Sequence, residues 1–193
     1  LLAKIEDLLE ISNIDAGRVV LERQEILLAD IIKQVMDAQV HHASAAGVTV
    51  YFQQDTRDLL LNVDRLKLQH ILGHLVANAI RHCAAGGKVE IGADVSESNE
   101  LLLRVSDTGR GIQPNKLDNI LTALEEDNCW TAKNSYGVGL GLALTKEFVA
   151  LHGGKVHIES TMGEGTIVRI TLPENAIIRA PSKELAYLRQ ATH

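Results

Sequence analysis

The spacing of apolar residues along this 193-residue chain predicts alternating helices and strands. Apolar residues recur at helical intervals in segments 1–14, 28–46 and 65–84, and again in a segment that ends at His152. A weaker helix is expected after residue 112. Seven short runs rich in β-formers are typical of strands. They cover residues 19–26, 48–53, 59–63, 88–95, 101–106, 155–160 and 166–172.

Short polar or glycine-bearing connections predict that most of these strands pair as hairpins. The expected pairs are 48–53 with 59–63, 88–95 with 101–106, and 155–160 with 166–172. Because helices lie between the hairpins, the pattern favours an α+β, two-layer α/β sandwich over a doubly wound parallel sheet. Residues 174–193 have mixed polarity and are expected to form a C-terminal tail.

Composition narrows the class of protein. Hydrophobic residues make up 46% and charged residues 23%, which is typical of a folded domain. The formal net charge of −6 argues against a nucleic-acid-binding surface. No apolar run approaches the 18 residues of a membrane span, so we expect no membrane contact by this fragment. The two cysteines fit a reducing compartment, which predicts a cytoplasmic location. The first residue is Leu1 rather than Met, which suggests a piece of a longer protein.

Glycine-containing motifs are the candidate chemistry, and the two commonest phosphate-binding patterns do not fit them. A P-loop requires G-x-x-x-x-G-K-[ST], which neither Gly86-Gly87-Lys88 nor Gly153-Gly154-Lys155 supplies. A dinucleotide fold requires G-x-G-x-x-G after an early strand, whereas the run at 137–141 is G-x-G-x-G and comes late. An isolated D-x-G-x-G is usually a surface turn, and a lone mid-helix Asn usually meets solvent. Only the joint order of the motifs is informative.

That order is Asn78, then DTGRG at 107–111, GVGLGL at 137–142 and GEGT at 163–166. It resembles the ATP-binding catalytic domain of sensor histidine kinases, within the wider family shared with gyrase, MutL and large heat-shock chaperones. The match covers roughly residues 60 to 173, and HLVANAIRH at 74–82 is similar to divergent alphaproteobacterial cell-cycle kinases. The resemblance implies the Bergerat fold. It also implies three parts: residues 1–17 as part of the second dimerisation helix, 18–173 as the ATP-binding domain, and 174–193 as the tail.

The resemblance implies a site for ATP and Mg²⁺. Asn78 would be the Mg²⁺ ligand, with His74 as a candidate second ligand, and Arg81 would lie near phosphate. An amide oxygen is a hard neutral ligand suited to Mg²⁺. Asp107 would accept a hydrogen bond from the adenine amino group, and glycines at 109 and 111 would let the backbone approach the purine. The remaining candidate nucleotide-binding residues are His82, Gly109, Gly111, Ile112, Lys133, Gly137, Val138, Gly139, Leu140, Gly141, Leu142 and Thr166.

Two features depart from the resemblance. His74 stands where family members usually carry Asn, and segment 113–136, where the family's ATP lid lies, has two lysines against four carboxylates, a net charge of −2. A negative lid is unfavourable for a triphosphate. The phosphoacceptor histidine is also absent, since His41-His42 lack a following acid and proline. Two functions therefore remain open: a histidine kinase that passes the γ-phosphate to a histidine elsewhere in its dimer and on to a response regulator, or a pseudokinase that binds the regulator. A self-contained ATPase is disfavoured because residue 74 is not Glu.

Overall fold

The structure is a computed structural model that describes residues 2–53, 59–125 and 139–179. The elements of these ranges follow the predicted order. The helices are α1 (Leu2–Asp15), α2 (Leu28–Ala46), α3 (Arg65–His82), α4 (Pro114–Glu125) and α5 (Leu140–Leu151). The strands are β1 (Arg23–Leu27), β2 (Thr49–Phe52), β3 (Leu60–Asp64), β4 (Lys88–Val95), β5 (Leu101–Asp107), β6 (Lys155–Thr161), β7 (Gly165–Leu172) and β8 (Ile177–Arg179).

The main layer is a five-stranded sheet in the order β2-β4-β5-β7-β6. The predicted hairpins β4–β5 and β6–β7 are confirmed, and β5 pairs antiparallel with β7 in the centre. Helices α2, α3 and α5 pack together as the second layer, and the core between the layers includes the fully buried Leu72, Leu103 and Phe148. This two-layer α+β sandwich confirms the predicted fold class.

The predicted hairpin between residues 48–53 and 59–63 is wrong. Strand β2 pairs in parallel with β4, whereas β3 belongs to a second, three-stranded sheet with the order β1-β3-β8. The side chains of Leu61 and Val63 are fully buried, so β3 is a central strand with a partner on each edge. Alternation identifies a strand but not its partner, and here the intervening α3 provides the crossover for the parallel β2–β4 pair.

The start of the predicted tail is part of the fold. A short 3-10 turn at Glu174–Ala176 leads into β8, which pairs antiparallel with β3. Ala176, the last residue of this turn, is fully buried. The rest of the predicted tail, 180–193, lies outside the described residues.

The N-terminal helix α1 packs against α5 and is tied to α3 by polar side chains. Ile11 is buried in the core, and Glu10 forms an ion pair with Lys67, whose ammonium group also lies 4.7 Å from the centroid of the Phe148 ring. Within the described ranges, no helix combines the length and apolar character needed to cross a membrane.

Candidate functional site

Helix α3 supplies the first group of candidate residues. Asp64 caps its N-terminus, because the carboxylate accepts a 3.0 Å hydrogen bond from the Lys67 N–H. The buried face carries Leu68, Leu72 and Val76 into the core. The opposite edge places Asn78 in solvent, with the half-buried His82 one turn further on. Arg81 is exposed between them.

Asp107 is the last residue of β5, and it lies opposite Thr166 on β7. Its carboxylate is half-buried and accepts a 2.8 Å hydrogen bond from the Gly109 N–H. Burial raises the pKa of this carboxyl group, while hydrogen bonds from the Gly109 and Thr166 backbones, together with nearby His82, oppose the rise. The strand end therefore presents an oriented acceptor, and its use in binding adenine stays a prediction.

The loop that follows Asp107 is fixed between α3 and the β6–β7 turn. The Arg110 N–H donates to the carbonyl oxygen of His82 at 3.2 Å, and the carbonyl oxygen of Arg110 accepts from Gly163 at 2.8 Å. The Ile112 N–H donates to the hydroxyl group of Ser160, which lies 2.9 Å from the hydroxyl group of Thr166. The structure thus brings His82, Asp107 and Thr166 around one loop. Ser160 is a member of this cluster that the motif pattern did not single out.

The glycines of this loop are required by contacts inside the protein. A Cβ atom on Gly111, which has φ +66°, would lie 2.1 Å from the carbonyl oxygen of Thr161. A Cβ atom on Gly165, which has φ +127°, would lie 1.9 Å from the carbonyl oxygen of Asp107. The sequence prediction assigned the glycines at 109 and 111 to close approach of a purine. A Cβ atom on Gly109 would lie 2.6 Å from both Oδ1 of Asp107 and the carbonyl oxygen of His82. These close contacts hold the loop against α3 and the turn, and the approach to a purine stays a prediction.

The glycine-rich turn lies partly outside the described residues, as do Gly137, Val138 and Lys133. Gly139 precedes the first turn of α5, and Leu140 and Leu142 pack against the core. Gly141 faces α3, because a Cβ atom there would lie 2.8 Å from Nδ1 of His74. The first turn of α5 therefore lies against α3 at His74, one helical turn before Asn78. The N–H groups at this helix start are suited to bind phosphate.

His74 lies where α1, α3 and α5 meet. Its Nε2 atom is 3.6 Å from Oδ1 of Asp7 on α1. Burial lowers the pKa of His74, and the nearby Asp7 carboxylate partly opposes this change. The sequence predictions missed Asp7. In the sequence, Asp7 is a carboxylate between the apolar positions of an amphipathic helix, and such residues are usually exposed, so nothing marked it as a site residue.

The structure places two further residues in structural roles. His152 is 1% exposed and bonds to the carbonyl oxygen of Phe148 and the N–H of Asp64, as a structural histidine does. Cys83 is half-buried, and burial raises the pKa of its thiol, which disfavours the reactive thiolate. Cys129 lies outside the described residues.

Comparison with known proteins identifies the class. Residues 63–176 match the family of histidine kinase-, DNA gyrase B- and HSP90-like ATPases, and the chain belongs to this family. The crystal structure of full-length ShkA in complex with AMPPNP superposes with a TM-score of 0.74 at 21% identity over 93% of this chain and 36% of that one. AdeS of Acinetobacter baumannii superposes with a TM-score of 0.69 at 20% identity, covering 89% and 77% of the two chains.

Among curated proteins, the chain is 34% identical to the sensor protein DivL of Caulobacter vibrioides over 183 residues, or 95% of this chain and 23% of that protein. It is 32% identical to the cell-division control histidine kinase PdhS of Brucella anthropi, covering 92% of this chain and 18% of that protein. The chain therefore spans about a fifth of the length of these relatives. The predicted resemblance to sensor histidine kinases, including divergent alphaproteobacterial ones, is confirmed.

Proposed function

We propose that this chain is the ATP-binding catalytic part of a two-component sensor histidine kinase, acting in the cytoplasm. It binds ATP with Mg²⁺ and presents the γ-phosphate to a histidine of its own dimer, from which the phosphoryl group passes to a response-regulator aspartate. The complex of ShkA with AMPPNP and the histidine kinase names of the relatives support this assignment. Positioning and charge stabilisation are the main tasks of a protein in phosphoryl transfer.

The observation that carries the proposal is the Asp107 carboxylate at the end of β5. Two backbone N–H groups orient it, and the loop after it bonds to the C-terminal end of α3, one turn beyond Asn78. A purine amino group would bond to this carboxylate, while Asn78 would ligate Mg²⁺ on the phosphates. The N–H groups at the start of α5 and Arg81 are placed to bind phosphate oxygens.

Isothermal titration calorimetry with AMPPNP and Mg²⁺ tests the proposal. Asp107→Asn keeps the volume but removes the charged acceptor, and we expect the affinity to fall roughly 10- to 100-fold, because an unpaired buried polar group costs about 1–3 kcal/mol. Asp94→Asn, at an exposed position on β4, is the matched control and should bind like the wild type. A GTP analogue, whose purine has a carbonyl oxygen at position 6 in place of the amino group of adenine, should bind the wild type weakly. No wild-type binding at millimolar nucleotide would refute the proposal.

A pseudokinase that binds a response regulator is the second candidate, and His74 favours it. Both ring nitrogens of His74 face protein groups, Asp7 and Gly141, instead of an open cleft. Labelled ATP supplied to the full-length protein separates the two functions. Normal regulator binding without label incorporation supports the pseudokinase, whereas robust autophosphorylation supports the kinase.

A further inference from the structure

A cluster of metal-ligating side chains lies outside the nucleotide site, at the junction of α1 and α3. Asp7, His70 and His74 each offer one ligand atom, and these three atoms lie within 4.8 Å of one another. The two histidines are four residues apart on α3, the spacing that puts side chains on one face of a helix. Their ring centroids are 4.9 Å apart.

His74 carries an independent sign of a missing ligand. Within the described part of the chain, its Nε2 atom is buried and has no hydrogen-bond partner. A buried polar atom without a partner costs free energy, so native structures rarely contain one. The Asp7 carboxylate lies 3.6 Å away, just beyond a direct hydrogen bond, and Asp7 is itself 8% exposed. A cation between these two groups would satisfy both of them.

We propose that Asp7, His70 and His74 form a Zn²⁺ site that joins α1 to α3. Two imidazole nitrogens and one carboxylate oxygen, with water in the fourth position, are a donor set that zinc accepts in tetrahedral geometry. At bond lengths of about 2.0–2.1 Å the donor atoms of such a site are about 3.4 Å apart, so no pair needs to close by more than about 1.4 Å. Magnesium and calcium are disfavoured because they prefer oxygen ligands.

The surroundings suit a bound cation. The Glu10 carboxylate lies 3.5 Å from Nδ1 of His70, where it can orient the ring as carboxylates beside metal-bound histidines do. Glu10 also neutralises the nearby Lys67 through an ion pair, so the positive charge closest to the site is compensated. Asp7 and Glu10 thus supply two negative charges beside the site, opposed by the positive charges of Lys67 and Arg81.

The site would couple α1 to the nucleotide-binding region. The His74 ring contacts the position of Gly141 in the first turn of α5, so zinc fixes this ring between α1 and the start of α5. Bound zinc would hold α1 on the helical layer. The proposal concerns zinc binding by the chain without nucleotide, so it stands or falls separately from ATP binding.

Zinc titration of the whole chain, freed of any polyhistidine tag and followed by calorimetry, tests the site. We expect one Zn²⁺ per chain with micromolar affinity. His70→Gln, His74→Gln and Asp7→Asn should each weaken binding at least about tenfold, since loss of outer-shell partners alone costs 10- to 100-fold. His157→Gln is the matched control, because His157 also lies beside a carboxylate, that of Glu159, but is 64% exposed on β6.

Three results would overturn the proposal. One is wild-type affinity in the His70 and His74 variants, or no binding by the wild type. Another is loss of binding in a Cys83→Ser/Cys129→Ser variant, which would assign the metal to thiolates. The third is unchanged binding in Asp7→Asn together with unchanged hydrogen exchange of α1 amides on adding zinc, which would show a site on α3 alone. Zinc-dependent protection of α1 that disappears in Asp7→Asn is the expected outcome.

Discussion

His152 offers the sharpest test of how the helical layer is joined to the second sheet. Its Nδ1–H donates to the carbonyl oxygen of Phe148 at 2.7 Å, and its Nε2 accepts from the N–H of Asp64, the capping residue of α3, at 3.2 Å. In His152→Ala the Asp64 N–H would lose its partner in a buried site. We expect the free energy of unfolding to fall by about 2–4 kcal/mol, the cost of an unsatisfied buried donor plus the lost ring contacts.

The same contacts give a pH dependence with a definite sign. The bond from the Asp64 N–H requires the neutral ring, because a protonated Nε2 cannot accept it, and burial is the main cause that lowers the pKa of His152 from its usual value of 6.5. The unfolded chain therefore takes up the proton first as the pH falls. The stabilisation is complete above pH 6.5 and is lost as the pH falls through the lowered folded-state value, at no more than about 1.4 kcal/mol per pH unit for one proton.

Urea unfolding followed by circular dichroism, at pH 7.5 and at intervals down to pH 5, measures this effect. His152→Gln cannot titrate, so the difference in unfolding free energy between it and the wild type should shrink as the pH falls. Val20→Ala, at an exposed position with no titratable group, should keep a constant difference. A pH-independent difference for His152→Gln would refute the assignment of a neutral, hydrogen-bonded His152.

Two further substitutions test the loop after Asp107 and the attachment of α1. Gly165→Ala should abolish AMPPNP binding and lower Tm, because its Cβ atom would lie 1.9 Å from the Asp107 carbonyl oxygen. Gly163→Ala, with open space around its Cβ atom, should reduce the unfolding free energy by only about 1–2 kcal/mol because of its positive φ, and so should lower Tm less. Equal losses of Tm in the two variants would contradict the steric argument. Lys67→Met should lower the unfolding free energy by about 1 kcal/mol and increase amide exchange in α1, because it removes the ion pair with Glu10; unchanged exchange would show that this pair does not hold the helix.

The predictable parts of the fold were those set by local sequence. Asp64 followed by a helical apolar pattern identifies the start of α3, and the short loop at 96–100 leaves β4 and β5 little choice but to pair. The partner of β2 was not predictable in this way. The choice of partner for β2 depends on β3 being taken up between β1 and β8 in the other sheet. Strand β8 lies more than 100 residues after β3 in the sequence.

The candidate site likewise has features that the sequence predicts and features that only the structure shows. The order of its motifs was enough to name the residues, and the structure supplies the register that sets Asp107 opposite Thr166. The contact of Asp7 with His74 could not be predicted, because it joins two residues 67 positions apart in the sequence, on different helices, through polar atoms. Hydrophobic periodicity carries no information about which polar side chains meet when two helices pack.

The position of His74 also bears on which residue would ligate Mg²⁺. Its ring nitrogens are directed at Asp7 and Gly141, and nitrogen is a poor ligand for Mg²⁺. Asn78 instead presents an amide from an exposed position on the same helix. The arrangement therefore favours Asn78 alone as the magnesium ligand of α3. It leaves His74 to the contacts with Asp7 of α1 and with the first turn of α5.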